Sequence, residues 1–154
     1  MGYIQEIRAL IGNRPIILPG CIVFIENGQE QILMQQRTYP YGKWGLPGGL
    51  MELCESTQET VRREVKEETG LILGHLTLFG VYSGEGYRCV AQNGDQFDVV
   101  TIVYTTADYE GEVTVMDDES ISFEWFDLDK MPVNIARTHS TIIRDYVEAR
   151  GTIL

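Results

Sequence analysis

Three carboxylates, Glu64, Glu67 and Glu68, lie within five residues of one another in the run from Thr60 to Gly70, Thr-Val-Arg-Arg-Glu-Val-Lys-Glu-Glu-Thr-Gly. A helix advances about 100° per residue, which sets Glu67 about 60° to one side of Glu64 and Glu68 about 40° to the other. Three like charges on so narrow an arc repel and weaken the helix that carries them. A cation held among them removes that penalty. Because the donors are all oxygens, the ion is a hard one, magnesium or manganese. The stretch reads as a metal site.

The helix that must present these groups is written into its own flanks. Ser56-Thr57-Gln58-Glu59 has the form of a capping box, in which Ser56 and Glu59 satisfy each other's backbone N–H. Val61 and Val65 supply an apolar stripe beside the carboxylate arc, and Gly70 stands where a left-handed cap ends a helix. The spacing predicts a helix over Thr57 to Thr69. Arg63, four residues before Glu67, is placed to pair with it or with Glu55. Ahead of the helix, Leu46-Pro47-Gly48-Gly49 is a turn whose glycines let the backbone approach a ligand closely.

Taken as a pattern, the chain has Gly49, five residues, Glu55, seven residues, Arg63-Glu64, an aliphatic Val65, Lys66, Glu67-Glu68, Thr69, Gly70 and an aliphatic Leu71. This resembles the signature of the Nudix hydrolases at every defined position. A solvated acidic helix is the usual reading of such a run. Seven fixed identities, at about 6–7% usage each, arise by chance about once in 10⁹ windows, and that decides against it. The motif covers residues 49–71. Trp44, Leu46-Pro47-Gly48 and Trp125-Phe126 extend the likeness over most of the chain, in the manner of bacterial ADP-ribose pyrophosphatase-like members. The resemblance implies a loop–helix–loop that binds divalent cations and a pyrophosphate. It implies Glu64, Glu67 and Glu68 as metal ligands, the Gly48 carbonyl as a further ligand, Arg63 as the orienting residue and Glu55 as an auxiliary carboxylate.

Hydrolysis of a diphosphate also needs a base for the attacking water and cations or N–H groups for the remaining oxygens. The backbone of Gly48 and Gly49 suits the oxygens, with Arg37 and Lys43 as cations for the distal phosphate. Family members take the base from the motif or from a later loop. In the turn Asp117-Asp118-Glu119-Ser120, Glu119 is the chosen candidate. A nucleobase wants an aromatic face, and Tyr39, Tyr41, Tyr82 and Tyr87 are the candidates in or beside loops. Ser83 to Gln96 reads as a long polar loop, with Tyr87 positioned to fold over the base or ribose. The expected function is a Mg-dependent pyrophosphohydrolase acting on ADP-ribose, a dinucleotide or a nucleotide sugar. The alternatives are hydrolysis of oxidised nucleoside triphosphates, RNA decapping, and a catalytically silent nucleotide sensor.

At 154 residues with 44% hydrophobic content, the chain is expected to be one domain over residues 1–154. A net charge of −11 argues against a lasting grip on duplex nucleic acid but not against a small nucleotide-type anion brought in with cations. The apolar stretch Pro15 to Ile25 is broken by Pro19-Gly20 and is too short to cross a bilayer, so no membrane partner is expected. Cys21, Cys54 and Cys89 lack metal-type spacing and read as free thiols of a cytoplasmic protein, Cys54 as a buried small residue. A homodimer is compatible with all of this.

Along the chain, residues 3 to 11 carry apolar side chains at helical spacing, and Cys21–Ile25 and Gln31–Gln36 flank an Asn27-Gly28 hairpin signal. Leu71–Tyr82, Asp98–Thr106 and Ser122–Phe126 read as strands, with Phe79, Tyr104, Trp125 and Phe126 as core residues. Thr138 to Arg150 reads as an amphipathic helix, with Gly151 as its stop. Strands on both sides of a central helix, and a helix to close, suit an α/β fold with a mixed sheet between helices. A Nudix-type α/β/α sandwich is also what the resemblance implies.

Overall fold

Strand β1 (Ile16–Ile25) feeds two cores at once, because successive side chains leave a strand on opposite faces. Cys21, Val23 and Ile25 pack with Val61 and Val65 of helix α2 (Thr57–Thr69) and with Tyr104. Ile22 and Phe24 pack on the other face with Ile142, Ile143, Tyr146 and Val147 of helix α3 (Arg137–Ala149). Phe24 stacks on Tyr146 with ring centroids 3.9 Å apart. This double burial is why β1 reads as a continuous apolar run and not as an alternation.

The computed structural model describes residues 2–151. β1 pairs in parallel with β8 (Gln96–Thr106) and antiparallel with β4 (Gly48–Leu50), and β6 (Thr77–Tyr82) closes the order β4-β1-β8-β6. β7 (Arg88–Val90) pairs with the start of β8. A second sheet runs β10-β2-β3, from Ser120–Asp127, Gln31–Arg37 and Trp44–Gly45. A two-stranded pair joins β5 (Ile72–Leu73) to β9 (Tyr109–Glu110). Helix α1 (Tyr3–Ile11) buries none of its residues and is tied down by Arg8, which donates to the carbonyls of Gly12, Arg14 and Gln96. The expected mixed sheet between helices is the observed architecture.

Four expectations are corrected. Asn27 turns the chain, its Oδ1 accepting from the N–H groups of Gln29 and Gln31, but β1 and β2 then join different sheets instead of forming a hairpin ladder. Leu71–Tyr82 is two strands, β5 and β6, parted where Asp108 accepts from the His75 N–H and Gly74 donates to the Asp108 carbonyl. Ser83–Gln96 is not one polar loop. It holds a 3-10 turn (Glu85–Tyr87) and β7, stapled to β8 by the Arg88–Asp98 ion pair. Cys54 is exposed on a turn at φ 66°, and all three cysteines are free thiols.

Gly48 has φ 144°, and a Cβ there would overlap the Cys21 carbonyl and the Ile22 Cα. No L side chain fits between β4 and β1 at this point. Gly48→Ala is expected to destabilise the fold by on the order of 3 kcal/mol, read by urea unfolding followed by circular dichroism. A loss within experimental error would mean that β4 can lift from β1 at no cost.

Candidate active site

Helix α2 is built as its sequence requires. Ser56 Oγ accepts from the Glu59 N–H (3.1 Å), Glu59 Oε2 accepts from the Ser56 N–H (2.7 Å), and Gly70 closes the helix in the left-handed conformation. Val61 and Val65 are fully buried against β1, which turns the neighbouring face toward the Gly48–Gly49 turn. Glu68 is buried there, its Oε2 accepting from the Gly48 N–H at 3.2 Å. The Glu64 carboxylate occupies the space a Cβ of Gly49 would need. The two glycines therefore let backbone and carboxylates meet directly.

Arg63 ties the remaining acids together. Its Nε and Nη2 donate to the two oxygens of Glu55 (2.8 and 2.9 Å), and Nη1 donates to Glu64 (2.9 Å) and Glu67 (3.3 Å). Nη2 also donates to the Leu50 carbonyl at 3.1 Å. The hydrogen bonds from Arg63 hold the Glu55 acid below its ordinary value, and those to Glu55 push the guanidinium further up. Glu67 is the most exposed acid of this network.

The turn before β10 completes the cluster. Carboxylate oxygens of Glu68, Asp117 and Glu119 lie within 4.8 Å of one another. Asp117 is oriented by the Ser120 N–H, which donates to its Oδ1 at 3.1 Å. The same turn is held to β2 through the Thr38 N–H, which donates to the Glu119 carbonyl. Burial raises the Glu68 acid well above the usual carboxylate range, and the charge of Glu64 raises it further. Burial also raises Glu64, with Glu67 and Glu119 adding to the effect. Such groups resist ionising together unless a cation compensates them. Oxygen-only donors within one ion's reach of each other, with the innermost one desolvated, fit a hard divalent cation.

Beside this cluster opens a cavity of about 350 Å³ whose wall includes Arg37, Lys43, Arg137, Tyr39 and Phe97. Arg37 ends β2, its guanidinium occupying the space a Cβ of Gly45 would need, and it feels the charges of Glu68 and Glu119. His139 of α3 is buried behind it, 3.4 Å from Arg37 Nη2, and accepts from the Leu46 N–H at 3.0 Å. Trp44 donates to the Asn134 carbonyl and accepts from the Ala136 N–H, so the segment before α3 is strapped to the lead-in turn.

The expected residues thus fall into groups. Glu64, Glu67 and Arg63 share one network, Glu68 and Glu119 share the carboxylate cluster, and Gly48 and Gly49 line both. Arg37 and Lys43 line the cavity, although Arg37 is a packed strand-end residue and not a solvated loop charge. Tyr87 is placed differently from expectation. It is half-buried, packing against Tyr82 (centroids 6.1 Å apart) and the core beneath α3, and from its segment Cys89, Val90 and Ala91 reach the cavity instead. Tyr41 is exposed and is not part of the cavity wall. The sequence favours Glu119 in its acidic turn, and the structure brings Asp117 into the cluster beside it. His139, Phe97 and Arg137 were missed. A lone histidine in an amphipathic helix, or a phenylalanine opening a strand, carries no local signal of a site.

Comparison with known proteins gives the same picture. Residues 18–146 match the family model described as NUDIX domain. The chain is 36% identical over 124 residues to an ADP-ribose pyrophosphatase from Methanocaldococcus jannaschii, covering 80% of this chain and 69% of that one. It is 33% identical over 141 residues to an NAD-capped RNA hydrolase, NudC, from Mannheimia succiniciproducens, spanning 88% of this chain but only 48% of the relative. A solved MutT NUDIX hydrolase from Burkholderia pseudomallei superposes with a TM-score of 0.69 at 30% identity, covering 88% of this chain and 97% of that one.

Because Glu64 and Glu68 have raised values in the folded state, the stability they contribute is full below about pH 4, the unfolded carboxylate value, and is lost as pH rises through the folded value. In EDTA at pH 7, Glu68→Gln is expected to melt higher than the parent by on the order of 3 °C, with the gap closing toward pH 4. Scanning fluorimetry across that range reads it. A gap of either sign that does not change with pH would show that Glu68 carries no burial penalty.

Proposed function

The chain belongs to the NUDIX domain family, and we propose that it is a Mg²⁺- or Mn²⁺-dependent pyrophosphohydrolase, a single domain acting on a nucleoside diphosphate derivative such as ADP-ribose, a dinucleotide or a nucleotide sugar. One observation carries this reading: the carboxylates of Glu68, Asp117 and Glu119 converge beside a cavity walled by Arg37 and Lys43. An acidic cage next to a cationic pocket suits a diphosphate at the cage and an anionic or aromatic leaving group in the pocket. The names of the relatives support the same substrate class.

Glu64, Glu67, Glu68 and the Gly48 carbonyl would hold the ions. When bound, divalent ions neutralise the diphosphate oxygens and acidify the attacking water. Glu119 takes the proton from that water, whose oxygen adds to phosphorus as the bridging P–O bond breaks and the leaving phosphate departs. Arg63 holds Glu64 and Glu67 in place, and the backbone of Gly48 and Gly49 lies beside the remaining substrate oxygens. Arg37 and Lys43 receive the distal phosphate, with Tyr39 and Phe97 as the apolar faces for a base. Three free thiols suit the reducing cytoplasm. The exposed Ile17, Leu78 and Val81 suit self-association as a homodimer. Among the described residues no helix is long and apolar enough to cross a membrane.

A panel of nucleotides assayed with magnesium tests the proposal. Release of two monophosphates from ADP-ribose is the expected result, whereas monophosphate plus pyrophosphate from a triphosphate would move the chain to the other substrate class. Glu64→Gln and Glu68→Gln are each expected to lower turnover by on the order of 10² or more. Near-normal rates in both variants at saturating magnesium would end the assignment. Glu119→Gln should depress turnover with KM almost unchanged, and an equal or larger effect in Asp117→Asn would transfer the base role to Asp117.

A further inference from the structure

The ring of His139 faces two N–H groups at once. The Leu46 backbone donates to Nδ1 at 3.0 Å, and Arg37 Nη2 lies 3.4 Å from Nε2. A neutral imidazole has one bare nitrogen and one N–H, so it satisfies only one of these neighbours. Leu46 is fully buried, and among the described residues its N–H has no other acceptor. Orphaning such a group costs about 1–3 kcal/mol. Arg37 has an alternative, because its guanidinium also lines the cavity. The bare nitrogen therefore goes to Leu46 and the ring proton to Nε2, where donor meets donor. Burial, with Arg37 adding to it, holds the ring well below the ordinary histidine value, so it stays neutral.

We propose that His139 is a positioning residue: Leu46 locks it as the Nε2–H tautomer, which denies Arg37 an acceptor within the protein and leaves the guanidinium to donate to an anionic oxygen of a phosphate-bearing ligand in the cavity. The proposal rests on the reading of that cavity as the pocket for the distal part of the substrate. Gly45 completes the device, since its missing side chain gives the guanidinium a flat seat. Among the described residues His139 is the only hydrogen-bonding neighbour of the Arg37 guanidinium. Lys43, on the same wall, adds a second cation, and a phosphate oxygen is the acceptor such a pair selects. The ring has one further effect. It holds Leu46 two residues before Gly48, whose N–H donates to Glu68, so α3 positions both the cation and the turn.

The chain has two histidines, His75 and His139, so a long-range ¹H–¹⁵N spectrum, with His75→Gln as the assignment variant, reads the tautomer directly. A protonated Nε2, a bare Nδ1 and no titration between about pH 5 and about pH 8 are expected. A proton on Nδ1, or a ring that titrates in that window, overturns the proposal. His139→Gln offers Arg37 an amide oxygen to capture, whereas His139→Asn keeps an oxygen near the Nδ1 position for Leu46 and offers Arg37 nothing. The Gln variant is expected to weaken AMP binding to the metal-free protein and to raise KM, each about 10-fold, with kcat within about 3-fold, and the Asn variant to change each by less than about 3-fold. Equal losses in the two variants, or a change in kcat alone, would reduce His139 to packing. Arg37→Ala should abolish AMP binding, and unchanged affinity there also overturns the proposal. AMP binding needs no turnover, so a chain that passes these tests and hydrolyses nothing fails the hydrolase reading alone.

Discussion

The site depends on holding carboxylates close together, with the innermost of them, Glu68, out of water. Arg63 spends all five of its N–H groups on this, with two on Glu55, one each on Glu64 and Glu67, and one on the Leu50 carbonyl. That neutralises one edge of the helix and leaves the other uncompensated. Among the described residues, Glu68, Asp117 and Glu119 face each other with only backbone N–H groups and the more distant Arg37 to offset them. The charge deficit is thus concentrated on the side toward Arg37. A surface ion-pair network would have spread it along the helix. Here it collects at Glu68, Asp117 and Glu119, an oxygen-only donor set that suits a hard divalent cation.

Keeping that deficit in place is the task of the two cores. Val61 and Val65 bury against Cys21 and Val23, which fixes the height of α2 above β1. β4 lies antiparallel beside β1 through Gly48 and Gly49, and only at glycine can backbone sit against Cys21 and Ile22 while a carboxylate lies over it. The second core sets the far wall. Phe24, Phe79 and Tyr146 form an aromatic cluster that seats α3, and α3 in turn places His139 behind Arg37. Strand β1 therefore transmits one alternation of side chains into two walls of one site.

What was legible in the sequence is what local chemistry determines. Helix α2, its cap at Ser56, its stop at Gly70 and the pairing of Arg63 with Glu55 depend on residues a few positions apart, and they stand where spacing placed them. The fold class followed from the order of periodic segments. Contacts that join distant segments were not legible. Asn27 turns the chain as expected, yet whether the next strand pairs with the last or crosses to another sheet is decided by Trp125 and Phe126, nearly a hundred residues on. Tyr87 looked like a loop aromatic because glycines surround it, but a 3-10 turn and an antiparallel ladder to β8 bring its ring under α3. The join of Asp117 to Glu68 spans 49 positions and leaves no mark at either end beyond an acidic turn and an acidic helix.

The distribution of charge also bears on how the proposed substrate would lie. With a net charge of −11, the surface as a whole repels a diphosphate, and the carboxylate cluster repels it most. Arg37 and Lys43 stand against that field in the wall of one cavity. An anion with charge at both ends is then drawn in one direction only. Under the proposed function its distal end would be held by Arg37 and Lys43, while its reacting end would be stable only with mobile cations at the carboxylates. Fixed charge where the substrate is held and mobile charge where a bond breaks give the cleft a polarity that a uniformly basic pocket lacks. On that reading a divalent ion would be a condition of productive binding as well as of chemistry.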